Sequence, residues 1–451
     1  MSQGRFLQSV IVLVGGAAFA HCITALALPI LSRLYLPTDF GLLAVFSSVL
    51  SIIAVAACLR FDVAIPLPES EDDALNLLML AVGCVTVVAA GLALAVMLWP
   101  EWMASKLKQP QLASYMWLLP LGVFLSGIYS SLQHWFVRRS LFKLIARSRV
   151  VQSTASAGTQ LGMGWLGMSP LGLLIGYVMN TGMACLMLAG RPLREMISST
   201  KRYPDWHSMR SIFKRYDRFA KYSTFEALCN SAAVQLPIVM IAVIAAPAEA
   251  GFLSMAMAVM QAPMALIGAA VGQVYLSRAP TEYRAKRLDV FTIDTLGGLF
   301  KAGLGPILAA GILAPAAFGL VFGSNWDRAG WLVSWMTPWF LMQFLSSPIS
   351  MALHITGNQR IALVLQIFGL LLRTAIVIGV SKIAPFWVSE AYALSGGIFY
   401  FVYLMLVLKI IKASILGVLG ALVQGLIPAI IWVSLAVSGA FLLAVASRMI
   451  S

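Results

Sequence analysis

Apolar positions along this chain gather in blocks of about 20 to 25 residues, the length a helix needs to cross roughly 30 Å of hydrocarbon at 1.5 Å per residue. Short charged or Pro/Gly-rich stretches separate them. Spans are expected near 8–31, 41–60, 75–98, 114–136, 150–168 and 170–190, and, after a long polar loop, near 222–245, 251–275, 295–320, 331–353, 361–380 and 389–408. A last apolar stretch at 414–447, interrupted by Gly420, Gly425 and Pro428, has room for one tilted span or two short ones. The expected organisation is an N-terminal six-helix lobe over 1–190, a cytoplasmic linker over 191–221, a C-terminal six-helix lobe over 222–410 and a hydrophobic tail over 411–451. The first block follows Arg5 and contains Ala18-Phe19-Ala20, which resembles a secretory cleavage site, yet it runs unbroken to Leu31 and is read as a retained helix.

The linker has a different pattern. Trp206, Met209, Phe213, Tyr216 and Ala220 recur at three- and four-residue spacing with Arg210, Lys214, Arg215 and Arg218 between them, which predicts an amphipathic helix lying at the membrane interface.

Composition agrees with the pattern. Hydrophobic residues make up 60% of the 451 and charged residues 11%, well below the roughly 25% of a soluble domain. The net charge of +14 points to topology rather than nucleic acid, because the basic residues sit in short loops between apolar blocks. With the N-terminus in the cytoplasm, Arg138, Arg139, Lys143, Arg147 and Arg149, the nine Lys/Arg of 191–221, and Arg278, Arg284, Lys286 and Arg287 all fall inside. The five cysteines lie within apolar segments without metal-ligand spacing and read as reduced packing residues.

The two halves share landmarks in one order. Leu28-Pro29-Ile30 leading to Pro37-Thr38-Asp39-Phe40-Gly41 is echoed by Leu236-Pro237-Ile238 leading to Pro247-Ala248-Glu249-Ala250-Gly251. Tyr177, Asn180 and Gly182 match Tyr392, Ser395 and Gly397, and the basic stretch at Arg147 matches that at Arg360. Offsets of 210 to 215 residues imply a parallel duplication: an all-α polytopic membrane protein whose two six-helix lobes are related by a pseudo-two-fold axis along the membrane normal, with a cavity between them.

Candidate chemistry is sparse. Gly162-Met163-Gly164-Trp165-Leu166-Gly167 spells a dinucleotide fingerprint, but it lies in a span with no preceding strand and is read as helix-packing glycine. There is no phosphate loop or paired-His zinc motif, the four histidines are scattered, and no cofactor or metal is expected.

Ionisable residues inside spans are costly and mark function by default. Arg373 lies about twelve residues into the eleventh expected span, roughly 18 Å deep. Lys301, one or two turns into the ninth, either reaches the interface with its long stem or serves the substrate. Glu226 in the seventh is a candidate for ion pairing or for exchange of a proton or cation. Arg33, Arg60 and Asp62 sit at helix ends, where charges are solvated, paired or functional. Polar residues of the fifth span, Gln152, Ser153, Thr154, Ser156, Thr159 and Gln160, predict a helix that lines the cavity, although they could equally bond neighbouring helices. The excess of buried base over acid suits an anionic group such as phosphate better than a cationic drug.

Ser32-Arg33-Leu34-Tyr35-Leu36-Pro37-Thr38-Asp39-Phe40-Gly41 and Leu59-Arg60-Phe61-Asp62-Val63-Ala64-Ile65-Pro66-Leu67-Pro68 resemble the bacterial polysaccharide transporter family, kin of the multidrug and toxin extruders and the lipid II flippase. The resemblance is strongest over 1–75 and implies a flippase of the inner membrane that moves an undecaprenyl-diphosphate-linked oligosaccharide for O-antigen, capsule or exopolysaccharide assembly. By similarity, basic residues hold the diphosphate: Arg33 and Arg60 lie in the matching motifs, and Lys301 and Arg373 are added from depth. Expected partners are the lipid-linked oligosaccharide, membrane lipid and the polymerase and chain-length machinery, with no nucleic acid. Two rivals stay open: a multidrug extruder on the same fold, which needs acidic residues in its cavity, and a membrane-embedded glycan polymerase or ligase, against which the short outer loops 99–113 and 321–330 argue.

Overall fold

The computed structural model describes residues 3–190, 206–246 and 248–450, and among them every regular element is a helix. By contact the chain divides into two units, Met1–Ala250 and Gly251–Ser451. The expected helix over 205–222 begins, within the described residues, at Trp206, and the repeat landmark at Pro247 lies outside them.

The first unit holds α1 (Gln3–Leu34), α2 (Pro37–Ala57), a one-turn α3 (Phe61–Ala64), α4 (Glu71–Leu98), α5 (Leu118–Arg138), α6 (Phe142–Trp165), α7 (Leu171–Ala189), α8 (Trp206–Arg215) and α9 (Thr224–Ile244). Local chemistry sets their ends. Pro37 occupies the first turn of α2, where its missing N–H costs nothing, and the Asp39 carboxylate accepts the Leu36 N–H at 2.8 Å. Ser70 caps α4 by accepting the Asp73 N–H at 3.0 Å, with Glu71, Asp72 and Asp73 in the first turn where the helix dipole favours acids. Gly167, at φ 72°, ends α6: its N–H reaches the Gly164 carbonyl and that of Met168 the Met163 carbonyl, a Schellman closure.

Helices α1, α6 and α7 pack together around Tyr35, which is 2% exposed and donates its hydroxyl to the Gln160 carbonyl at 2.7 Å. Cβ atoms at Gly164 and Gly172 would stand 2.9 and 2.2 Å from that side chain. The fingerprint glycines are therefore divided between packing (Gly164) and helix termination (Gly167). Helix α9 lies on α2, with Ser48 donating to the Gln235 side chain at 3.0 Å and Ser231 to the Ser51 carbonyl at 3.4 Å.

The second unit holds most of α10 (Glu249–Arg284), then α11 (Leu288–Leu299), α12 (Gly305–Phe322), α13 (Asp327–Ile349), α14 (Gln359–Ile383), α15 (Val388–Ile410) and α16 (Ile415–Ile450). A π turn, Phe300–Leu304, joins α11 to α12 in one continuous span, Leu288–Phe322. The tail is a single helix running through Pro428, which settles the alternative left open by hydropathy. It packs along α11, the π turn and α12 at small residues: Cβ atoms at Gly425 and Gly305 would meet Phe300 and Trp432 at 2.7 and 2.6 Å. Only 11% of its apolar window is buried, so most of α16 faces lipid.

Nine long helices among the described residues are apolar enough to cross a membrane by length and composition, and α6, the polar fifth span, is not one of them. The chain is a multi-pass membrane protein. Several boundaries differ from the hydropathy reading in one direction: α6 starts at Phe142 and α11 at Leu288, so Lys143, Arg147 and Arg149 belong to a helix rather than a loop. Hydropathy marks where apolar side chains begin, whereas backbone hydrogen bonding carries a helix on into the headgroup layer.

Candidate functional site

In the first unit the 59–68 motif forms a cluster at the α2–α4 connection, while the 32–41 motif lies at the other end of the 21-residue α2. Leu59 and Arg60 adopt left-handed φ values of 48° and 59°, which turn the chain sharply out of α2 and present α3. Asp62, on α3, is 5% exposed. Its Oδ2 accepts from Ser130 Oγ of α5 at 2.5 Å, and His134 Nδ1, one turn along α5, stands 3.9 Å away. Neither Asp62 Oδ1 nor Arg60 Nε, both buried, has a hydrogen-bond partner among the described residues.

Arg138 secures the same segment. It donates to the carbonyls of Pro66, Pro68, Glu69 and Ser70 and lies 3.7 Å from Glu71, which Arg139 holds at 2.8 Å. Helix α8 covers the other side, with Phe213 against Phe61 at 5.5 Å between ring centres and Arg215 at 3.5 Å from Asp73. Sequence reasoning counted Arg138 as a topology charge and left out Ser130 and His134; their four-residue spacing on α5 opposite an acidic motif was the signal that could have found them.

The other candidates in this unit lie elsewhere. Arg33 is exposed in the last turn of α1. Gln152 and Thr159 are half-buried on α6, while the Gln160 side chain lies against α7, its Cγ 2.3 Å from a Cβ built at Gly176. Glu226 is exposed in the first turn of α9 and makes no ion pair among the described residues.

The second unit separates its two candidate cations. Arg373 is 2% exposed, inside α14, with its guanidinium 4.8 Å from the ring centre of Phe399, 5.2 Å from Trp339 and 5.8 Å from Tyr400. Gly369 and Gly396 leave room for this cage, since Cβ atoms there would stand 2.6 and 2.2 Å from Phe399 and Trp339. Arg373 lies in the middle of α14, and its surroundings are aromatic faces, which stabilise a cation through their quadrupoles, rather than an open cavity.

Lys301 is exposed in the π turn, three to four helical turns after α11 begins, roughly 20 Å along the axis rather than one or two turns in. Inserted π turns recur at functional positions because they re-aim one side chain out of the regular helix. The turn is clamped from behind: a Cβ at Gly303 would stand 2.1 Å from the Phe344 ring. Phe344 also lines a cleft of about 600 Å³ between α10 and α13, together with Gln261, Met264, Gln343, Ser347 and Met351. Amides and a hydroxyl in that wall supply the donors and acceptors that a sugar requires.

Comparison with known proteins follows from this geometry. The profile of a family described as "Polysaccharide biosynthesis protein" matches residues 30–329. No curated protein matches the sequence. Among solved structures, the chain is similar to lipid II flippase MurJ in an inward closed conformation, with a TM-score of 0.75 at 13% identity over 98% of each chain. It is also similar to an inward-facing multidrug resistance MATE family transporter of the MOP superfamily, with a TM-score of 0.65 at 12% identity over 89% of this chain and 98% of that one. A MOP superfamily transporter from Pyrococcus furiosus aligns with a TM-score of 0.54 at 13% identity over 90% and 96%. At such identities the likeness is one of fold, and the fold is that of the MATE and lipid II exporters.

Proposed function

The chain belongs to the polysaccharide biosynthesis protein family, and from that premise we propose that it flips an undecaprenyl-diphosphate-linked oligosaccharide across the bacterial inner membrane by alternating access. The observation that carries this reading is Lys301: a cation exposed on a π turn roughly 20 Å into the Leu288–Phe322 span. The diphosphate is the strongly charged part of such a substrate, and a desolvated ammonium or guanidinium is what draws it from water. Lys301 is the proposed diphosphate contact in mid-span, and Arg33 and Arg60, at opposite ends of the 21-residue α2 and about 30 Å apart, are proposed to meet the diphosphate at different stages of its passage. Arg373, caged by aromatic rings, is proposed to fix α13, α14 and α15 around the site rather than to touch substrate.

Translocation changes no covalent bond. The polyprenyl chain stays in the bilayer while lobes over 1–190 and 222–410 rock against each other, exposing the site to one face and then the other. The product serves O-antigen, capsule or exopolysaccharide assembly, where polymerase and chain-length machinery take it up. In this reading the N-terminus lies in the cytoplasm. Exchange of a proton or cation at Glu226 or Asp62 drives the cycle.

A second reading, extrusion of cationic drugs, is favoured by the exposed carboxylate of Glu226 and the MATE fold. One experiment separates the two: the leaflet distribution of undecaprenyl-linked oligosaccharide in cells with and without the protein. Inner-leaflet accumulation with loss of polymer is the expected result. Build-up of single repeat units on the outer leaflet would assign a polymerase or ligase step instead, and unchanged lipid pools with altered sensitivity to cationic drugs would assign the extruder.

A further inference from the structure

The basic stretch that follows α5 divides into two groups with different fates. Arg138 and Arg139 are engaged with the 66–71 carbonyls and Glu71. Lys143 and Arg147, on the next helix, are both exposed and make no ion pair among the described residues. Topology alone explains why they are basic, but not where they point.

Both line a cleft of about 650 Å³ in the first unit. They stand four residues apart on α6, about one turn, so their Cα atoms sit roughly 6 Å from each other along the axis and both side chains leave the same face. The rest of the lining is apolar or small: Val150 and Val151 of α6, Met187 of α7 and Gly16 of α1. Gly16 closes the floor, because a Cβ there would stand 2.8 Å from that of Ala146. The cleft therefore combines two cations with an apolar wall where α6 packs on α1 and α7, two helices of membrane-crossing length and composition. A free inorganic ion would leave that wall uncovered, and a purely apolar chain would leave both cations without a counter-charge.

We propose that this cleft is a binding site for an anionic phospholipid, whose phosphate bridges Lys143 and Arg147 while its glycerol and upper acyl chain cover Val150, Val151 and Met187. The arginine fork engages the two non-bridging phosphate oxygens, and the lysine ammonium shares one of them as a point charge. The site is separate from the cations proposed to hold the transported diphosphate and stands whether or not that reading does.

The test uses the full-length protein in a non-denaturing detergent, with native mass spectrometry of retained lipid after incubation with equal phosphatidylglycerol and phosphatidylcholine of the same chains. The wild type is expected to keep phosphatidylglycerol in preference. Lys143→Gln with Arg147→Gln lowers that preference on the order of tenfold, as two lost headgroup cations should, while phosphatidylcholine is unaffected. Val151→Trp, which keeps both charges and fills the cleft, also lowers phosphatidylglycerol retention. Wild-type preference in either variant, or equal retention of the two lipids by the wild type, overturns the proposal. So does displacement by millimolar inorganic phosphate, which makes this a simple anion site, or retention of a polyprenyl diphosphate without any phosphatidylglycerol preference, which makes it a substrate site.

Discussion

At the scale of single residues, the position of a charge says less than what surrounds it. Asp62 is buried, and Ser130 supplies the hydrogen bond to one of its oxygens while the other has none among the described residues. Stripping a buried carboxylate of its donor costs about 1–3 kcal/mol. Ser130→Ala should therefore lower Tm in detergent, with Ser130→Thr retaining most of the stability; an unchanged Tm for the alanine variant would remove the contact as a stabiliser. Lys301 is the converse, a charge held out of the helix for something to meet. Lys301→Gln should reduce oligosaccharide translocation at least tenfold with the fold intact, and Lys301→Arg should keep most of it, measured as leaflet distribution of the lipid-linked glycan. Both residues were legible in the sequence as ionisable groups in apolar surroundings. Their roles were not, because Ser130 is 68 positions from Asp62 and only the packing of α3 on α5 brings them together.

Elements of this protein meet through small residues. Glycine at 172 allows the Tyr35 hydroxyl to pass at a distance no Cβ would tolerate. Gly172→Ala should destabilise by about 1–3 kcal/mol through overpacking, and the penalty should shrink when combined with Tyr35→Phe, since the atom in the way is the hydroxyl. Additive Tm shifts in that double-mutant cycle would show the two sites to be independent. On the second unit, α16 lies over the π turn through Gly425. Gly425→Leu should push α16 away from Phe300 and lower transport as Lys301→Gln does, even though residue 425 carries no charge. Sequence reading identified the tail as apolar but took all the 162–167 glycines as packing residues, whereas only Gly164 meets a neighbouring helix, because that depends on the crossing of two helices far apart in the chain.

For the whole molecule, the relation between charge and cycle is the open physical issue that a transport assay answers. Glu226 is exposed near the start of α9, where a carboxylate can exchange its cation. If that exchange drives alternating access, Glu226→Gln should abolish the response of translocation to an imposed proton or sodium gradient while leaving downhill movement of substrate. A wild-type gradient response would exclude this residue as the coupling group. The matched landmarks meet different helices: Tyr177 packs edge-on against Phe46 of α2 at 6.3 Å in the first unit, whereas Tyr392 packs edge-on against Trp339 of α13 at 5.2 Å in the second.

The sequence by itself determined that this chain lives in a bilayer, where its helices run and which family it joins, because membrane insertion is decided helix by helix through summed transfer free energies that composition already contains. Helix ends such as the Pro37–Asp39 cap were legible for the same reason: their chemistry is local. The tertiary structure alone decided that Arg373 is caged by aromatic rings, that Arg138 binds a loop, that Lys301 stands on a π turn and that Lys143 and Arg147 line a cleft. Each of those outcomes depends on which faces of separate helices touch, and within a membrane that choice is made by close packing and hydrogen bonding between helices, forces that one-dimensional hydropathy does not record.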